Sequence, residues 1–584
     1  MPDTGIGFSP SFRFGQPFFL GPGASEIFYH IDLKDNISLI RGRHTFKFGG
    51  EFLYSHNVQV FDGFALGRYI FADIVGFLHY ASPASKGPAY GPNVQSCGGV
   101  VYAITCTGGS PLALYLQDAG TRTGETVQQA GYSNIANKEP AIYAQDTWQI
   151  GSRFTLNYGL RWEAQFFPTM TIAPSAALYG PYLSNPAFPS TGYLPSQSKE
   201  FQPRVGFAYD IVGGGRSVLR GSAGIFNARQ NMLTEVGAIT TNGVQQQTLT
   251  EFSGSGNPTY PGILPVSNCP TTGCPGAGVT VFDKRYHNPR IYTYNVGYDQ
   301  QVFQDFVAFV DFTDSKGVYL TRFLDPNVGA AVLPGQIVPE TGKIYSPSAD
   351  TVCYRSGSTD TCPNIFAPGP FATLGAITNT ISNAKSLYRG LTVGMRKSMS
   401  HHYLFQAEYT YSVDRDDDSN ERDPFTFRYS NLYNLKAEYS LSDRDEPHKF
   451  NAYLVGDLPF GFAGNLRIQQ HSAEPETDNV NGTGTGAPCS INNSATRWVN
   501  GVDCGRNHLR KDNAFFVTDF GVSRPFRFHD GKLAIEPRVE VFNLFNNTNN
   551  LNPLSSPALF DFSGFLRVGV GDPRQAQLAL RFTF

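Results

Sequence analysis

The sequence is poor in charged side chains and has no long apolar run. Lys, Arg, Asp and Glu make up 16% of its 584 residues, whereas roughly 25% is usual for soluble globular proteins. No stretch of about 18 consecutive apolar residues occurs, which excludes a conventional transmembrane helix. The formal net charge of −3 gives no broad basic surface, so nucleic acid is not an expected partner.

Several functional signatures are also absent. The segment from Met1 to Phe8 lacks the basic and apolar regions of a secretory signal, which fits either a cytosolic protein or the C-terminal part of a longer chain. No nucleophile elbow, zinc-protease motif, phosphate loop or dinucleotide fingerprint occurs in a suitable context. We therefore expect no catalytic residues, no cofactor and no metal site, and we do not expect an enzyme.

Aromatic residues and glycine are abundant instead, and they fall into a two-residue alternation. Phe, Trp and Tyr make up 14% of the chain, which contains 47 Phe, 30 Tyr and 61 Gly. Because side chains alternate between the two faces of a strand, this pattern predicts strands with one apolar and one polar face. Clear examples are residues 45–54, 155–163, 292–299 and 403–412.

The final strand shows the same alternation and ends on Phe584 itself. Soluble domains usually end in a frayed polar stretch, whereas outer-membrane barrels often finish on an amphipathic strand that ends in Phe. We therefore interpret its apolar face as a terminal barrel-closure signal made of Leu578, Leu580, Phe582 and Phe584.

Tight turns alternate with long loops along the chain. Short turns on one side and long loops on the other are the layout of an outer-membrane barrel. Turns are predicted near residues 41–42, 151–152, 213–215, 304–305, 398–400, 459–461 and 528–531. Long loops are predicted at 58–138, 168–199, 230–289, 321–385, 414–446, 473–513 and 546–573.

The strands between these connections number about fifteen. We predict an all-β fold, a transmembrane antiparallel up-and-down β-barrel over residues 27–584, preceded by an irregular segment at 1–26. Bacterial single-chain barrels have an even number of strands. An odd count therefore indicates part of a larger barrel whose N-terminal strands are missing.

Eight cysteines form four local pairs, each in a stretch rich in Gly, Pro, Ser, Thr or Asn and within a predicted long loop. Short-range pairs in loops are typical of disulfides in an oxidising compartment. A metal site is the weaker alternative, because no C-x-x-C occurs and His508 stands alone near Cys504. From proximity we predict that the disulfides join Cys97 to Cys106, Cys269 to Cys274, Cys353 to Cys362 and Cys489 to Cys504.

The densest charged run spans residues 414–423. Its carboxylates at 414, 416 and 418 have the spacing of a calcium loop, but Ser419 and Phe425 replace the required Gly and Glu. We interpret the run as a solvated, self-paired loop. A surface site for a divalent cation or a cationic ligand is the alternative.

Several segments resemble TonB-dependent outer-membrane receptors of the Oar-like kind, and together they span most of residues 27–584. They are residues 42–52 (GRHTFKFGGEF), 141–148 (AIYAQDTW), 157–162 (NYGLRW), 203–209 (PRVGFAY), 540–546 (EVFNLFN) and 580–584 (LRFTF). The resemblance implies a 22-stranded barrel in the bacterial outer membrane, closed by an N-terminal plug. Related proteins often carry a carbohydrate-binding-like domain ahead of that plug.

The sequence departs from this pattern because no plug and no TonB box can be recognised. About seven strands are then missing as well, and the chain resembles the C-terminal part of such a receptor. The resemblance implies outer-membrane lipid and the barrel-assembly machinery as partners, and contact with TonB only through the missing plug.

Two functions follow from the barrel interpretation. The first is a transporter for a large solute such as a siderophore, an oligosaccharide or a peptide, with Arg161, Glu163 and Glu408 facing the pore and setting its electrostatics. The second is a surface-binding or adhesion protein that uses the barrel as an anchor for its loops. A soluble multi-sheet β protein is a third possibility, and it requires the apolar faces to bury against a second sheet.

Overall fold

The computed structural model shows a large antiparallel barrel sheet with a layer of packed loops at one end. It describes residues 1–6, 12–16, 25–71, 74–87, 90–92, 112–251, 258–265, 269, 273, 276–328, 330–332, 337–338, 343–344, 353–355, 369–418, 432–476, 498–499, 502–503, 505–510, 513–528, 533–552 and 569–584.

Fifteen long strands carry the barrel, which confirms the predicted number. They are β1 (Ser25–Arg41), β2 (His44–Val60), β3 (Tyr132–Ile150), β4 (Phe154–Gln165), β5 (Gln197–Asp210), β6 (Ser217–Asn227), β7 (Arg290–Phe303), β8 (Phe306–Leu324), β9 (Ile377–Ser400), β10 (Tyr403–Asp416), β11 (His448–Leu458), β12 (Phe462–His471), β13 (Phe515–Ser523), β14 (Leu533–Phe542) and β15 (Gln575–Thr583).

Each long strand pairs antiparallel with the next one along the chain, from β1 to β15. Three short strands, Val279–Phe282, Ser440–Leu441 and Phe526–Phe528, complete an eighteen-stranded barrel sheet. Among the registers of the described residues, none joins β1 to β15. Both strands are exposed along nearly their whole length, as expected for strands with a neighbour on one side only.

The register gives the sheet a polar inner face and an apolar outer face. Arg161 lies opposite Tyr143 on the inner face, whereas Trp162 lies opposite Ile142 on the outer face. The outer set continues to β15, where Leu578 is 80% exposed, and to Phe584 just after it, which is 100% exposed. The alternation read from the sequence is therefore the alternation between lumen and exterior.

An outward-facing aromatic group lies beside the short turn that joins β1 to β2. The His44 ring stacks on Phe46 at 5.4 Å and on Trp148 at 5.2 Å. Its Nδ1 atom lies 2.7 Å from the carboxylate of Asp146, which also accepts a hydrogen bond from the Tyr158 hydroxyl at 3.0 Å. Rings with one polar end suit a membrane–water boundary.

The long connections all emerge at the other end of the barrel and form a layer that we call the roof. It consists of the described parts of residues 61–131, 166–196, 228–289, 325–376, 417–447, 472–514 and 543–574. Its α-helices are α1 (Ile74–Tyr80), α2 (Val127–Ala130) and α3 (Met232–Thr240). No helix in the described part of the chain is long and apolar enough to cross a membrane.

The roof also contains a separate five-stranded sheet, with the strand order Gln246–Glu251, Leu112–Gly120, Arg68–Phe71, Asp3–Ile6, Phe12–Phe14. The irregular segment predicted at residues 1–26 is therefore wrong for its described part, which holds two roof strands and the first two residues of β1. The strand Asp3–Ile6 pairs in parallel with Arg68–Phe71. Because these two strands are far apart in the sequence, the local pattern of residues around Asp3–Ile6 could not predict their pairing.

Shorter elements complete the described structure. The two-residue and three-residue strand pairs are Ala330–Val332 with Cys353–Arg355, Ile337–Val338 with Lys343–Ile344, Pro475–Glu476 with Leu509–Arg510, Trp498–Val499 with Val502–Asp503, and Asn550–Asn552 with Gly569–Val570. The 3₁₀ helices are Ala84–Lys86, Pro174–Ala176, Gly180–Tyr182, Leu435–Glu438 and Pro459–Gly461.

The buried apolar side chains lie mainly in the roof, because the apolar face of the barrel points outward. One cluster packs Tyr69, Phe71 and Tyr115 under the five-stranded sheet. A second surrounds Phe188 and Phe371. A third packs α3 against Ile135 of β3 and against other roof residues such as Phe167. The loops are thus folded layers with their own cores.

The two faces can be tested with a pair of substitutions on β3. Ile142 is 61% exposed on the outer face, and Ile142→Arg places a cation in hydrocarbon. We expect a loss of about 2–4 kcal/mol in the free energy of unfolding in lipid vesicles. The control Gln145→Arg on the lumen face is expected to lose little. Equal losses would contradict the assignment of the faces.

Candidate functional site

The lumen wall formed by β1 to β6 encloses a concave cavity of about 470 Å³. Its lining combines charged and polar residues with glycine and with apolar residues such as Ala144, Leu160 and Val205. Only every second residue of each strand faces inward. The charged and polar lumen-facing residues of the lining are Lys34, Asn36, Lys47, Tyr143, Gln145, Thr147, Asn157, Arg161, Gln202, Arg204 and Ser222.

Arg161 anchors an ion-pair network on this wall. Its guanidinium group donates to the Glu51 carboxylate at 3.0 Å and to the Glu163 carboxylate at 3.0 Å. Lys34 approaches the same Glu51 carboxylate at 3.6 Å. The prediction that Arg161 and Glu163 face the pore is confirmed. Glu163 is held by Arg161 of its own strand β4, and Arg161 is also held by Glu51 of β2, across the intervening β3.

A second network lies further around the wall. Arg220 contacts Asp311 at 2.8 Å and Asp299 at 3.3 Å, and Arg396 reaches Asp299 at 3.7 Å. These residues come from β6, β7, β8 and β9. Because these ion pairs cross several strands, they hold the charges of the wall in a fixed pattern.

Glu408 lies on the inner face of β10, as predicted. It accepts a hydrogen bond from the Gln406 side chain at 3.2 Å. Its position opposite Asn451 and Gly394 follows from the strand registers.

A row of carboxylates lines the lumen where β3, β4 and β5 enter the roof. Glu163 and Glu200 lie directly opposite each other, an arrangement that repels unless cations intervene. Arg290 approaches Glu200 at 3.7 Å, and Arg229 approaches Glu139 at 3.2 Å. The sequence analysis missed Glu139 and Glu200 because they border predicted loops. The two-residue alternation of their strands nevertheless places both on the inner face and could have revealed them.

Helix α3 covers this end of the lumen. Its N-cap Asn231 accepts a hydrogen bond from the backbone N–H of Thr234 at 3.0 Å, and Val236 and Ile239 pack into a cluster with Ile135 of β3. Glu235 on the same helix is fully buried, and this burial raises its pKa well above the ordinary range.

The acidic run at residues 414–423 is not a solvated loop where it is described. Asp417 binds the buried Arg322 of β8 at 2.6 Å, and Asp416 pairs with Arg506. Both carboxylates are buried. Their arginine partners lie far away in sequence, so a local pattern could not reveal that the run ties the roof to the barrel.

Two polar residues just after β8, Asp325 and Asn327, hold another part of the roof together. The Asn327 side chain donates to the backbone carbonyls of Phe371, Leu374 and Gly375 at 2.8–3.2 Å. Asp325 accepts backbone N–H groups from Asn327 at 2.8 Å and from Ile377 at 3.0 Å. Together they join the loop after β8 to the start of β9.

The predicted disulfides lie almost wholly outside the described side chains. Cys269 is disulfide-bonded, and its backbone N–H donates to the Thr121 carbonyl at 3.0 Å. The other seven cysteines contribute no described side chain. The four pairings therefore stay predictions.

The geometry of the wall suits non-covalent contact with a polar solute. Arginine and carboxylate side chains are presented as fixed donors and acceptors along a wide lumen. In the described part of the chain, no group of three or more His, Cys, Asp or Glu side chains is placed to hold a metal ion.

Comparisons with known proteins are consistent with this geometry. Residues 2–502 match the family described as outer membrane beta barrel domain. No curated protein matches the sequence. Among solved structures, the outer membrane transporter YddB from Escherichia coli is similar, with 9% identity and a TM-score of 0.52 over 95% of this chain and 54% of that chain.

Two further solved structures are similar at lower scores. The siderophore receptor PirA from Acinetobacter baumannii has 12% identity and a TM-score of 0.45 over 95% of this chain and 54% of that chain. The ferric citrate transporter FecA in the unliganded form has 13% identity and a TM-score of 0.43 over 96% of this chain and 54% of that chain. This chain spans about half the length of these structures. The resemblance to TonB-dependent receptors is confirmed as a likeness of fold.

Asp325 gives the roof a testable pH dependence. Burial raises the pKa of Asp325 to about 6 from its usual 3.8, although two backbone N–H groups oppose the rise. The folded roof then binds more protons than the unfolded chain between these values, so its stability falls as pH rises through this window. We expect a slope of up to about 1.4 kcal/mol per pH unit.

Asp325→Asn keeps an acceptor for the backbone N–H groups and removes the titration. We expect it to flatten this part of the pH dependence of thermal unfolding in detergent. The control Asp457→Asn removes a carboxyl that is 65% exposed at the short-turn end and is expected to leave the slope unchanged. An Asp325→Asn profile parallel to the wild type would be inconsistent with this account.

Proposed function

We propose a receptor and transporter function from one premise: this chain belongs to the family of outer-membrane β-barrel domains and lies in the bacterial outer membrane. The proposed cargo is a large polar solute such as a siderophore, an oligosaccharide or a peptide. The roof would capture the solute, and the charged lumen wall would guide it. The chain would work as the barrel part of a longer receptor whose plug communicates with TonB.

One observation carries this proposal. Ion pairs such as Arg220 with Asp311 and Arg161 with Glu51 line the lumen across several strands. Holding charges in fixed places costs conformational freedom, and a barrel that served only as an anchor would not need such a wall. The fold likeness to the outer membrane transporter YddB supports the same conclusion.

The alternative is a surface-binding or adhesion protein. The independent cores and the five-stranded sheet of the roof favour it, since they give the loops a defined outer surface. The two functions differ in where the important residues lie. Transport needs the lumen wall, whereas adhesion needs only the roof.

Two arginine–aspartate pairs, one on each face of the barrel sheet, separate these functions. Arg220 and Asp311 lie on the lumen face, whereas Arg389 and Asp314 lie on the outer face at 2.7 Å. We expect Arg220→Gln to change the affinity for a bound solute about tenfold, because charge-assisted hydrogen bonds are worth about 1.5–3 kcal/mol. Arg389→Gln is expected to leave it unchanged.

The measurement is calorimetric titration of the full-length receptor with siderophores, oligosaccharides and peptides. If Arg220→Gln and Arg389→Gln bind every solute equally well, or if no solute binds, the transport function is contradicted. Adhesion that survives Arg220→Gln in the absence of solute binding would favour the alternative.

We further propose that the barrel-assembly machinery recognises the terminal closure signal. Phe584 follows β15 directly and is fully exposed, so a partner can reach it. We expect Phe584→Ala to lower the fraction of folded protein in the outer membrane several-fold. Thr583→Ala on the lumen face serves as the control and should assemble normally. Equal assembly of both variants would argue against this role.

A further inference from the structure

A buried carboxyl–amide contact joins the roof to the barrel. Glu235 of α3 and Asn137 of β3 are 0% and 1% exposed. The Asn137 Nδ2 atom donates to Glu235 Oε1 at 2.8 Å. This contact is the polar link between the helix and the strand beneath it.

The remaining two atoms of this contact lack hydrogen-bond partners. They are Oε2 of Glu235 and Oδ1 of Asn137, and both are buried. Two buried acceptors without a hydrogen-bond donor lower the stability of the folded state. A proton on Glu235 Oε2 would supply the missing donor, and Asn137 Oδ1 is an acceptor on the same amide group.

The surroundings of Glu235 favour a proton over a bound cation. On β3 the charged neighbour is Glu139, whose negative charge opposes ionisation of Glu235 and which is itself paired with Arg229 at 3.2 Å. The strand Val279–Phe282, which also packs on α3, has no titratable residue. The described residues offer no third carboxylate, His or Cys for a metal site.

We propose that Glu235 is protonated when α3 is seated, and that it forms a two-hydrogen-bond acid–amide pair with Asn137 that latches the roof onto the barrel. The amide donates to Oε1, and the acid donates from Oε2 to the amide oxygen. Loss of the proton leaves a buried anion and breaks one of the two bonds. The latch is a proton-sensitive device and does not depend on the identity of a solute.

The direction of the effect follows from proton linkage. Once α3 is released, Glu235 is solvated and ionises near its ordinary pKa of 4.5. The seated state keeps its proton to higher pH. Between the pH at which the released state loses its proton and the pH at which the seated state does, the released state binds fewer protons. The equilibrium constant for release of α3 therefore rises about tenfold per pH unit.

Hydrogen exchange of the full chain in detergent can measure this release. The signal is the protection factor of peptides that cover residues 231–241, compared between wild type and Glu235→Gln at each pH. Comparison at equal pH cancels the chemical pH dependence of exchange. The glutamine side chain supplies both hydrogen bonds and does not titrate, so we expect its protection factor to stay level above pH 4.5 while that of the wild type falls.

A matched control is available in β1 and β2. There the Asn57 side chain donates to Glu26 at 2.5 Å, but Glu26 is exposed. We expect Glu26→Gln to behave like the wild type. Equal pH dependence in wild type and Glu235→Gln overturns the proposal. Release of α3 at every pH in Glu235→Gln overturns it as well. The glutamine can form both hydrogen bonds, so release would show that these bonds do not hold α3 in place.

Infrared spectroscopy gives an independent readout that does not require α3 to move. The difference spectrum of wild type and Glu235→Gln at pH 6 should contain the carbonyl stretch of a protonated carboxylic acid. A carboxylate band in its place would refute the latch. In Asn137→Leu the acid keeps its proton because it is still buried, but its carbonyl band should shift to higher frequency because the hydrogen bonds to the amide are gone. An unshifted band would contradict the pairing.

Discussion

The ladder of hydrogen bonds between successive strands is the constraint on which this structure depends. In hydrocarbon there is no water to satisfy backbone N–H and C=O groups, so a spanning segment must pair them within the protein. The registers do so on both sides of every strand from β2 to β14, whereas β1 and β15 are paired on one side in the described registers. They also fix which side chains meet lipid, because a slip of one residue would exchange the two faces.

The polar inner face is organised by that register. Arg161 bridges Glu51 of β2 and Glu163 of its own strand β4. Arg220 bridges Asp299 of β7 and Asp311 of β8. A charge that faces a wet lumen keeps part of its hydration. These networks therefore fix the orientation of the charged side chains more than they stabilise the folded protein. The wall can therefore present a defined pattern of charge without a large desolvation cost.

The junction between the barrel and the roof follows the opposite rule, because it buries its charges. Arg322 is 1% exposed and is paired with Asp417, and Asp416 pairs with Arg506. Removing one partner of such a pair leaves an uncompensated charge and is expected to be strongly destabilising. Apolar clusters and buried ion pairs together make the loops a folded layer, which explains why such long connections remain compatible with a compact structure.

The sequence by itself determined the number of long strands, the inward direction of Arg161, Glu163 and Glu408, and the side on which the long loops lie. A two-residue period is a local property, so it can be read without knowing the partners. Only the tertiary structure decided the five-stranded sheet that includes Asp3–Ile6, the pairing of the acidic run with distant arginines, and the contact of Glu235 with Asn137. Each of these joins residues from different strands or loops, and their meeting depends on how the loops pack over the barrel.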